Sequence, residues 1–428
     1  MTDNGSTTGH DDPGATGQRT ISGGGAAGVG IASVVAAGCG YLVLLLAART
    51  LDPARNADFL VFWSLLFGVY GVLGGVQTES TRAAHAARDA APPDATPGAR
   101  LVPWGLLLGG CAAVVVAVTA PFWGTRVLGE SWFSAVLAVG VGAVMFAGHS
   151  SVAGVLAGRL QWGGYSALVA AEAAARLLLV VVVVVTGAAM GRLELAVALA
   201  SGTWLVLTVL FRPVRSALGA TADVPAPRLL VHTGKAAVAA ASSAALVVGF
   251  PVLLRLTSTT VEFATAAPLI LAISVTRAPL LMPLAAYQGV AITHFMANRR
   301  QGLGALTRVL ALIAGIGALA TLAAALVGPW LLRLLFGAAY GVPGPVLAGL
   351  TLGATALAVL TITGAAVLAT GGHTLFAVGW LAATVTSFTL LLVPLGIDGR
   401  AVLALAVGPL VGIAIHAAAV QRASRSVV

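Results

Sequence analysis

Residues 41–82 read YLVLLLAARTLDPARNADFLVFWSLLFGVYGVLGGVQTESTR. An apolar run ends in Arg49, a turn follows at Leu51-Asp52-Pro53, and a second apolar run closes on Gln77, Glu79 and Arg82. Crossing a bilayer core takes about 20 helical residues, so the stretch predicts two membrane helices joined by a tight polar turn. Working outward, runs of this kind recur near 26–48, 59–78, 101–121, 132–157, 165–187, 193–211, 235–254, 263–286, 304–327, 344–369, 373–395 and 400–420. Gly, Pro, Arg and Asp clusters separate them. The predicted fold class is all-α: a polytopic membrane protein of about twelve transmembrane helices.

Composition agrees. Of 428 residues, 59% are hydrophobic and 9% charged, against roughly 25% charged in a soluble domain. The net charge of +9 comes from basic residues scattered between apolar runs, without the basic patch and interleaved aromatics of a nucleic-acid surface, so nucleic acid is excluded as a partner. Cys39 and Cys111 sit inside apolar runs with no metal or redox spacing and read as small packing residues. There is no GxSxG elbow, Walker A run or HExxH helix. The chain therefore reads as a non-enzyme that calls for no cofactor and no metal.

Charge sets the orientation. With the N-terminus inside, fourteen basic residues fall on the cytoplasmic side and seven on the other, which places both termini in the cytoplasm of a cell-membrane protein. The expected organisation is a disordered tail over 1–22, six helices over 23–211, a Pro- and Arg-containing linker over 212–234, six more helices over 235–421, and a short tail over 422–428. The halves echo each other. Asp58-Phe59 and Glu262-Phe263 open the second and eighth runs at an offset of 204, and Leu156-Ala157-Gly158-Arg159 matches Leu368-Ala369-Thr370-Gly371 at 212. A six-helix unit repeated in the same orientation predicts two lobes related by a parallel pseudo-two-fold axis, a transporter plan with its site between the halves.

These segments resemble the polysaccharide flippase branch of the multidrug/oligosaccharidyl-lipid/polysaccharide exporter superfamily. Residues 41–82 look like that family's first two helices, with Ala-Arg before the turn and an acidic-aromatic pair after it. GVLAGRLQWGGYSALVAAEAAARLLLVVVVVV (154–185) looks like its fourth-to-fifth hairpin, with Gly-Arg, an aromatic and Glu-x-x-x-Arg. ISVTRAPLLMPLAAYQGVAITHF (273–295) resembles its eighth helix, and PWLLRLLFGAAY (329–340) the turn after its ninth. The similar lipid II flippases generally have fourteen helices, so about twelve favours a capsule, O-unit or exopolysaccharide flippase. The resemblance implies alternating-access flipping of a polyprenyl-(pyro)phosphate-linked oligosaccharide, with membrane lipids around the protein and a glycan polymerase and glycosyltransferases as partners. The alternatives are a cation-coupled multidrug-type exporter of the same fold and a non-transporting membrane scaffold.

Moving a sugar-phosphate headgroup through hydrocarbon needs a polar cavity and cations. Arginine suits phosphate because it donates two hydrogen bonds at once and stays charged. Arg277 lies mid-run in the eighth helix among Pro268, Pro279 and Pro283, so that helix is expected to be kinked or broken with an arginine at the break; the plainer alternative is packing against a carbonyl. Glu172 and Arg176, four apart, share a helix face and predict an ion pair, in a cavity or in a core. Arg49 and Arg255 hold equivalent places in the two halves, as headgroup ligands or as snorkelling interface arginines. Gln77 and Gln288 are further cavity candidates, and His294 is a weaker one.

Overall fold

The computed structural model describes residues 23–89, 98–187, 189–277 and 306–425, with Leu280, Leu281, Leu284, Phe295 and Gly304. The tail 1–22, residues 426–428, Gln288 and His294 lie outside the described residues. Among the described residues the chain is helical, and its β-structure is a single bridge between Arg100 and Thr221.

The first half holds α1 (Gly23–Thr50), α2 (Pro53–Asp89), α3 (Leu101–Leu128), α4 (Trp132–Gly158), α5 (Trp162–Val185) and a sixth span made of α6 (Met190–Leu199) and α7 (Thr203–Leu210). After the short α8 (Arg212–Ala217), the seventh span is α9 (Ala226–Val247) followed by α10 (Phe250–Thr257). Then come α11 (Thr260–Ala264), α12 (Ala267–Arg277), α13 (Thr307–Phe336), α14 (Gly344–Ala369), α15 (His373–Leu390) and α16 (Ile397–Arg425). Ten stretches are long and apolar enough to cross a membrane. One of these, Leu101–Gly158, is the α3–α4 hairpin, turned at Gly129 with φ +69°, a backbone conformation glycine adopts freely. With α12 as the described start of the eighth span, these stretches account for the twelve expected runs.

Packing repeats between the halves. α1 packs on α5, α3 on α4, and both α4 and α5 on α6. Correspondingly, α9 packs on α15, α13 on α14, and both α14 and α15 on α16. Large apolar side chains such as Val118, Phe122, Leu319 and Leu326 are exposed on α3 and α13, as expected where the surrounding solvent is lipid. The interior relies on small residues for close approach. On α2, Gly71 and Gly75 face α9 across the two halves, and a Cβ at Gly75 would lie 2.4 Å from the Ala237 backbone nitrogen.

The sequence pointed to a break in the eighth span. The structure shows a break in the seventh, between α9 and α10, and describes the eighth only as α12, which runs up to Arg277 with Pro268 in its first turn. In an unbroken helix the Val247 carbonyl would accept from residue 251, but that residue is Pro251, which has no N–H. Val248 loses its partner too, because the Val252 N–H turns to Gly249 O at 3.0 Å. Pro279 and Pro283 lie outside the described residues.

The expected linker is not a free tether. α8 buries Val214 and Ala217, Ala220 and Ala222 are buried beyond it, and α9 begins nine residues before the expected start of the seventh span at 235. Backbone bonds Ala222 N–H to Ala99 O (2.8 Å) and Leu101 N–H to Ala220 O (3.0 Å) dock it on the first half, and Arg82 grips Asp223 at 2.9 Å. The Arg82 hydrogen bond holds the Asp223 carboxyl below the usual carboxylate range. A depressed folded value means this contact stabilises above the unfolded pKa and is lost only as pH falls through the lowered one.

At the end opposite the linker the halves are fastened symmetrically. Arg49 of α1 donates to the carbonyls of Leu335 and Leu334 at the end of α13 (2.7 and 2.6 Å), and Arg126 of α3 donates to Leu256 O at the end of α10 (3.2 Å). Thus the first span reaches the ninth and the third reaches the seventh, a pair of contacts related by the repeat. Asn56 adds a 3.1 Å bond to the Tyr340 hydroxyl. We expect the Arg49→Ala, Arg126→Ala double variant to open this end. Spin labels placed across it would show a longer-distance population in excess of wild type, and an unchanged distance distribution would show that the contacts do not hold it closed.

Candidate functional site

Between the halves lies a cleft of about 330 Å³. Its walls are α1 (Tyr41), α2 (Trp63, Ser64, Phe67), α5 (Arg176), the α9–α10 break (Val247, Val248) and α12 (Ser274, Arg277). Arg176 and Arg277 were singled out independently in the sequence, and the fold brings both to this one cleft, one from each half.

Arg277 is 8% exposed. Its Nη1 donates to Val247 O at 2.7 Å, so this guanidinium answers the carbonyl that Pro251 orphans. The Ser64 hydroxyl donates to Val248 O, supplying the second freed carbonyl. The guanidinium carbon stands 5.8 Å from the Phe250 ring, and Nη2 has no partner among the described residues. Tyr41 closes the α1 side by donating to Ser274 O at 3.0 Å.

Arg176 is 6% exposed. It pairs with Glu172 on the same helix, as the four-residue spacing requires. Its guanidinium lies over the Phe67 ring at 4.9 Å and the Trp63 ring at 5.9 Å, a cation–π arrangement that strengthens as water is excluded. Its Nε has no partner among the described residues.

Behind Arg176 an aromatic series runs into the first half: Phe67 edge-on to Tyr70 at 5.3 Å, Tyr70 stacked on Phe146 at 4.0 Å, and Phe146 stacked on His149 at 5.6 Å. The Tyr70 hydroxyl bonds Ser201 at 2.6 Å. His149 is buried, and its Nδ1 has no hydrogen-bond partner among the described residues. Sequence reasoning missed His149, although His149-Ser150-Ser151 interrupts an apolar helix and is the kind of signal that marks a polar interior. Ser64 and the Val247 carbonyl were missed as well; the signal was Gly249 and Pro251 within one apolar run.

Arg49, Arg255 and Gln77 lie apart from the described cleft lining. Arg49 is exposed and belongs to the fastening at the far end. Arg255, equivalent in sequence, is buried at that end, 4.8 Å from the Phe263 ring, and its Nε has no partner among the described residues, so the two arginines have different surroundings. Gln77 donates to the Tyr165 hydroxyl at 3.4 Å on the linker side.

No family model matches the chain. It is similar to the uncharacterized protein Rv3630 of Mycobacterium tuberculosis (strain ATCC 25618 / H37Rv), 39% identical over 405 residues, spanning 94% of this chain and 93% of that protein. It is likewise 39% identical over 415 residues to the uncharacterized protein Rv1510 of the same strain, spanning 96% and 95%. The chain belongs to this mycobacterial family. Its fold is also that of solved transporters. The inward-facing conformation of a multidrug resistance MATE family transporter of the MOP superfamily superposes with a TM-score of 0.68 at 14% identity, covering 92% of this chain and all of that one, 100%. The outward-facing conformation of such a transporter gives 0.66 at 15% identity, covering 94% and 96%. This chain therefore has the fold of these MATE transporters; the polysaccharide branch named by the resemblance in the sequence belongs to the proposal below.

Proposed function

We propose that this protein flips a polyprenyl-(pyro)phosphate-linked oligosaccharide across the cytoplasmic membrane by alternating access, in the service of surface polysaccharide synthesis. The observation that carries this reading is the pair of buried arginines, one from each half, in one shared cleft, each with a guanidinium nitrogen that has no partner among the described residues. A buried cation with an unused donor is costly in hydrocarbon surroundings, and a phosphate oxygen supplies what it lacks. Tyr41 and Trp63 line the same space and supply aromatic surface beside which sugar C–H groups can pack. Because the two arginines belong to different halves, an anion bound between them favours the arrangement that brings both within reach, and the lipid tail stays in the bilayer. In this reading the linker end faces the cytoplasm, and a glycan polymerase and glycosyltransferases act before and after the flip.

One observation favours a second reading, a cation-coupled exporter: the enclosed Glu172, His149, Tyr70 and Ser201 group is a polar cluster of the kind that carries protons. The two arginines oppose it, because like charge in a low-dielectric cleft repels a cationic drug. Proteoliposomes holding the purified protein and a fluorescent polyprenyl-pyrophosphate disaccharide decide between the two. Flipping is expected, seen as dye reaching the leaflet exposed to a membrane-impermeant quencher. Ethidium efflux driven by a pH gradient with no lipid movement would replace the flippase with the exporter.

A further inference from the structure

A second and larger cavity, about 1190 Å³, opens at the linker end between the end of α2, the start of α9 and the turn from α14 into α15. Its polar lining includes Glu79 and Arg82 from α2, His232 and Lys235 from α9, and His373 and Thr374 from α15, with the Thr78 and Ser243 hydroxyls. Glu79 is the one carboxylate among these residues, and its oxygens are already engaged by Arg82 at 2.6 and 3.0 Å, with His232 Nδ1 3.3 Å away and not hydrogen-bonded to it. Arg82 in turn donates from Nη1, and again from the shared Nη2, to Asp223 at 2.9 Å. What remains uncommitted among the described residues is one cation and a ring donor beside it. The Lys235 ammonium and the His373 ring make no ion pair or side-chain hydrogen bond among the described residues, and Lys235 is the chain's only lysine. The cavity therefore has neutralised negative charge, free positive charge and a free Thr374 hydroxyl.

We propose that this cavity is an anion site in which Lys235 and His373 hold the pyrophosphate of a headgroup before it reaches the cleft between Arg176 and Arg277. The assignment to a lipid-borne pyrophosphate rests on the flippase reading; the chemistry recognised, a pyrophosphate beside hydroxyls, is shared with soluble phosphorylated sugars. The volume suits the load: it exceeds the roughly 300 Å³ at which small-molecule sites begin, so it admits sugar rings together with phosphates. An ammonium with three rotatable donors suits a ligand that must be released onward, whereas the forked guanidinium of the cleft suits one that is clamped.

The single lysine gives a direct test. Full-length protein in nanodiscs is acetylated with an amine-reactive ester, and modification of the Lys235 peptide is followed by mass spectrometry with increasing inorganic pyrophosphate. Pyrophosphate is expected to slow modification about ten-fold, and His373→Gln to raise the half-protecting concentration about ten-fold; Arg277→Ala is expected to leave protection in place. Vesicles of phosphatidylcholine carrying polyprenyl pyrophosphate form the second arm, and protection there identifies the lipid headgroup as the source. Protection by inorganic pyrophosphate alone keeps the anion site and assigns it to a soluble ligand, which counts against the flippase reading and not against the site. Modification indifferent to pyrophosphate overturns the proposal. Protection that Arg277→Ala removes and His373→Gln leaves untouched overturns it as well, because the ligand would then sit in the cleft. Lys235 and His373 are exposed, so these outcomes do not turn on folding.

Discussion

Arg277→Ala abolishes lipid flipping while leaving a folded, membrane-inserted protein: this is the expected result with the largest effect on activity. Truncating one partner of a desolvated charge pair costs about 2–5 kcal/mol, a fall of roughly 30-fold to several thousand-fold in anything that depends on that contact. The cost to the fold is smaller. The bond from Nη1 to Val247 O is lost, and an unsatisfied buried carbonyl costs about 1–3 kcal/mol in a structure held by twelve packed spans. Arg277→Lys sharpens the test. Its ammonium keeps the charge but lacks the fork that serves Val247 and a phosphate together, so its flipping is expected to fall between wild type and the alanine variant. The measurements are the quencher assay for flipping, with thermal melting and size-exclusion profile for folding. An alanine variant that flips at a rate within about two-fold of wild type would take Arg277 out of the mechanism.

Glu172→Ala gives the largest expected effect on stability. Arg176 and Glu172 are both buried and paired, and removing one member of such a pair strands the other, at a cost of about 3–5 kcal/mol. The Phe67 and Trp63 rings beside the guanidinium offset a part of that, about 0.5–2 kcal/mol. Replacing both residues, Glu172→Leu with Arg176→Met, removes the stranded charge and is expected to melt within about 1 kcal/mol of wild type, as apolar replacements of buried pairs often do. That double variant separates structure from function: restored stability with flipping still absent assigns Arg176 to the substrate, whereas restored stability with normal flipping makes the pair structural alone.

Much of the architecture was legible because hydrocarbon imposes one strong rule, that every spanning segment satisfies its own backbone. Hence the apolar runs map onto helices, and the i, i+4 spacing of Glu172 and Arg176 fixed their pairing before any tertiary contact was known. The rule says nothing about where a span is interrupted. Val247 to Pro251 is apolar throughout, so hydropathy passes over the break, and only the arithmetic of which carbonyl loses its donor finds it. A proline's consequence also depends on its position in the helix: Pro268 falls in a first turn where its missing N–H costs nothing, whereas Pro251 orphans a carbonyl within a span. The connector after the sixth span was equally opaque. Pro213, Pro225 and Pro227 read as loop, while the burial of Val214, Ala217, Ala220 and Ala222 depends on a surface that exists only once the first half has assembled. The role of Arg49 needed tertiary geometry too, since its acceptors lie almost 300 residues away, at a separation of 286.

The docked connector has a consequence for biosynthesis. Its anchoring bonds, from Ala99 to Val224 and Ala222, from Leu101 to Ala220, from Arg82 to Asp223 and from Arg159 to Ser216, all fall within residues that a ribosome has finished before α9 is made. Because domains emerging first tend to fold as units during translation, the leading six helices can seal their own underside while the trailing six are still being threaded into the bilayer. The nascent chain thereby presents a finished platform against which α9 lays its first turn.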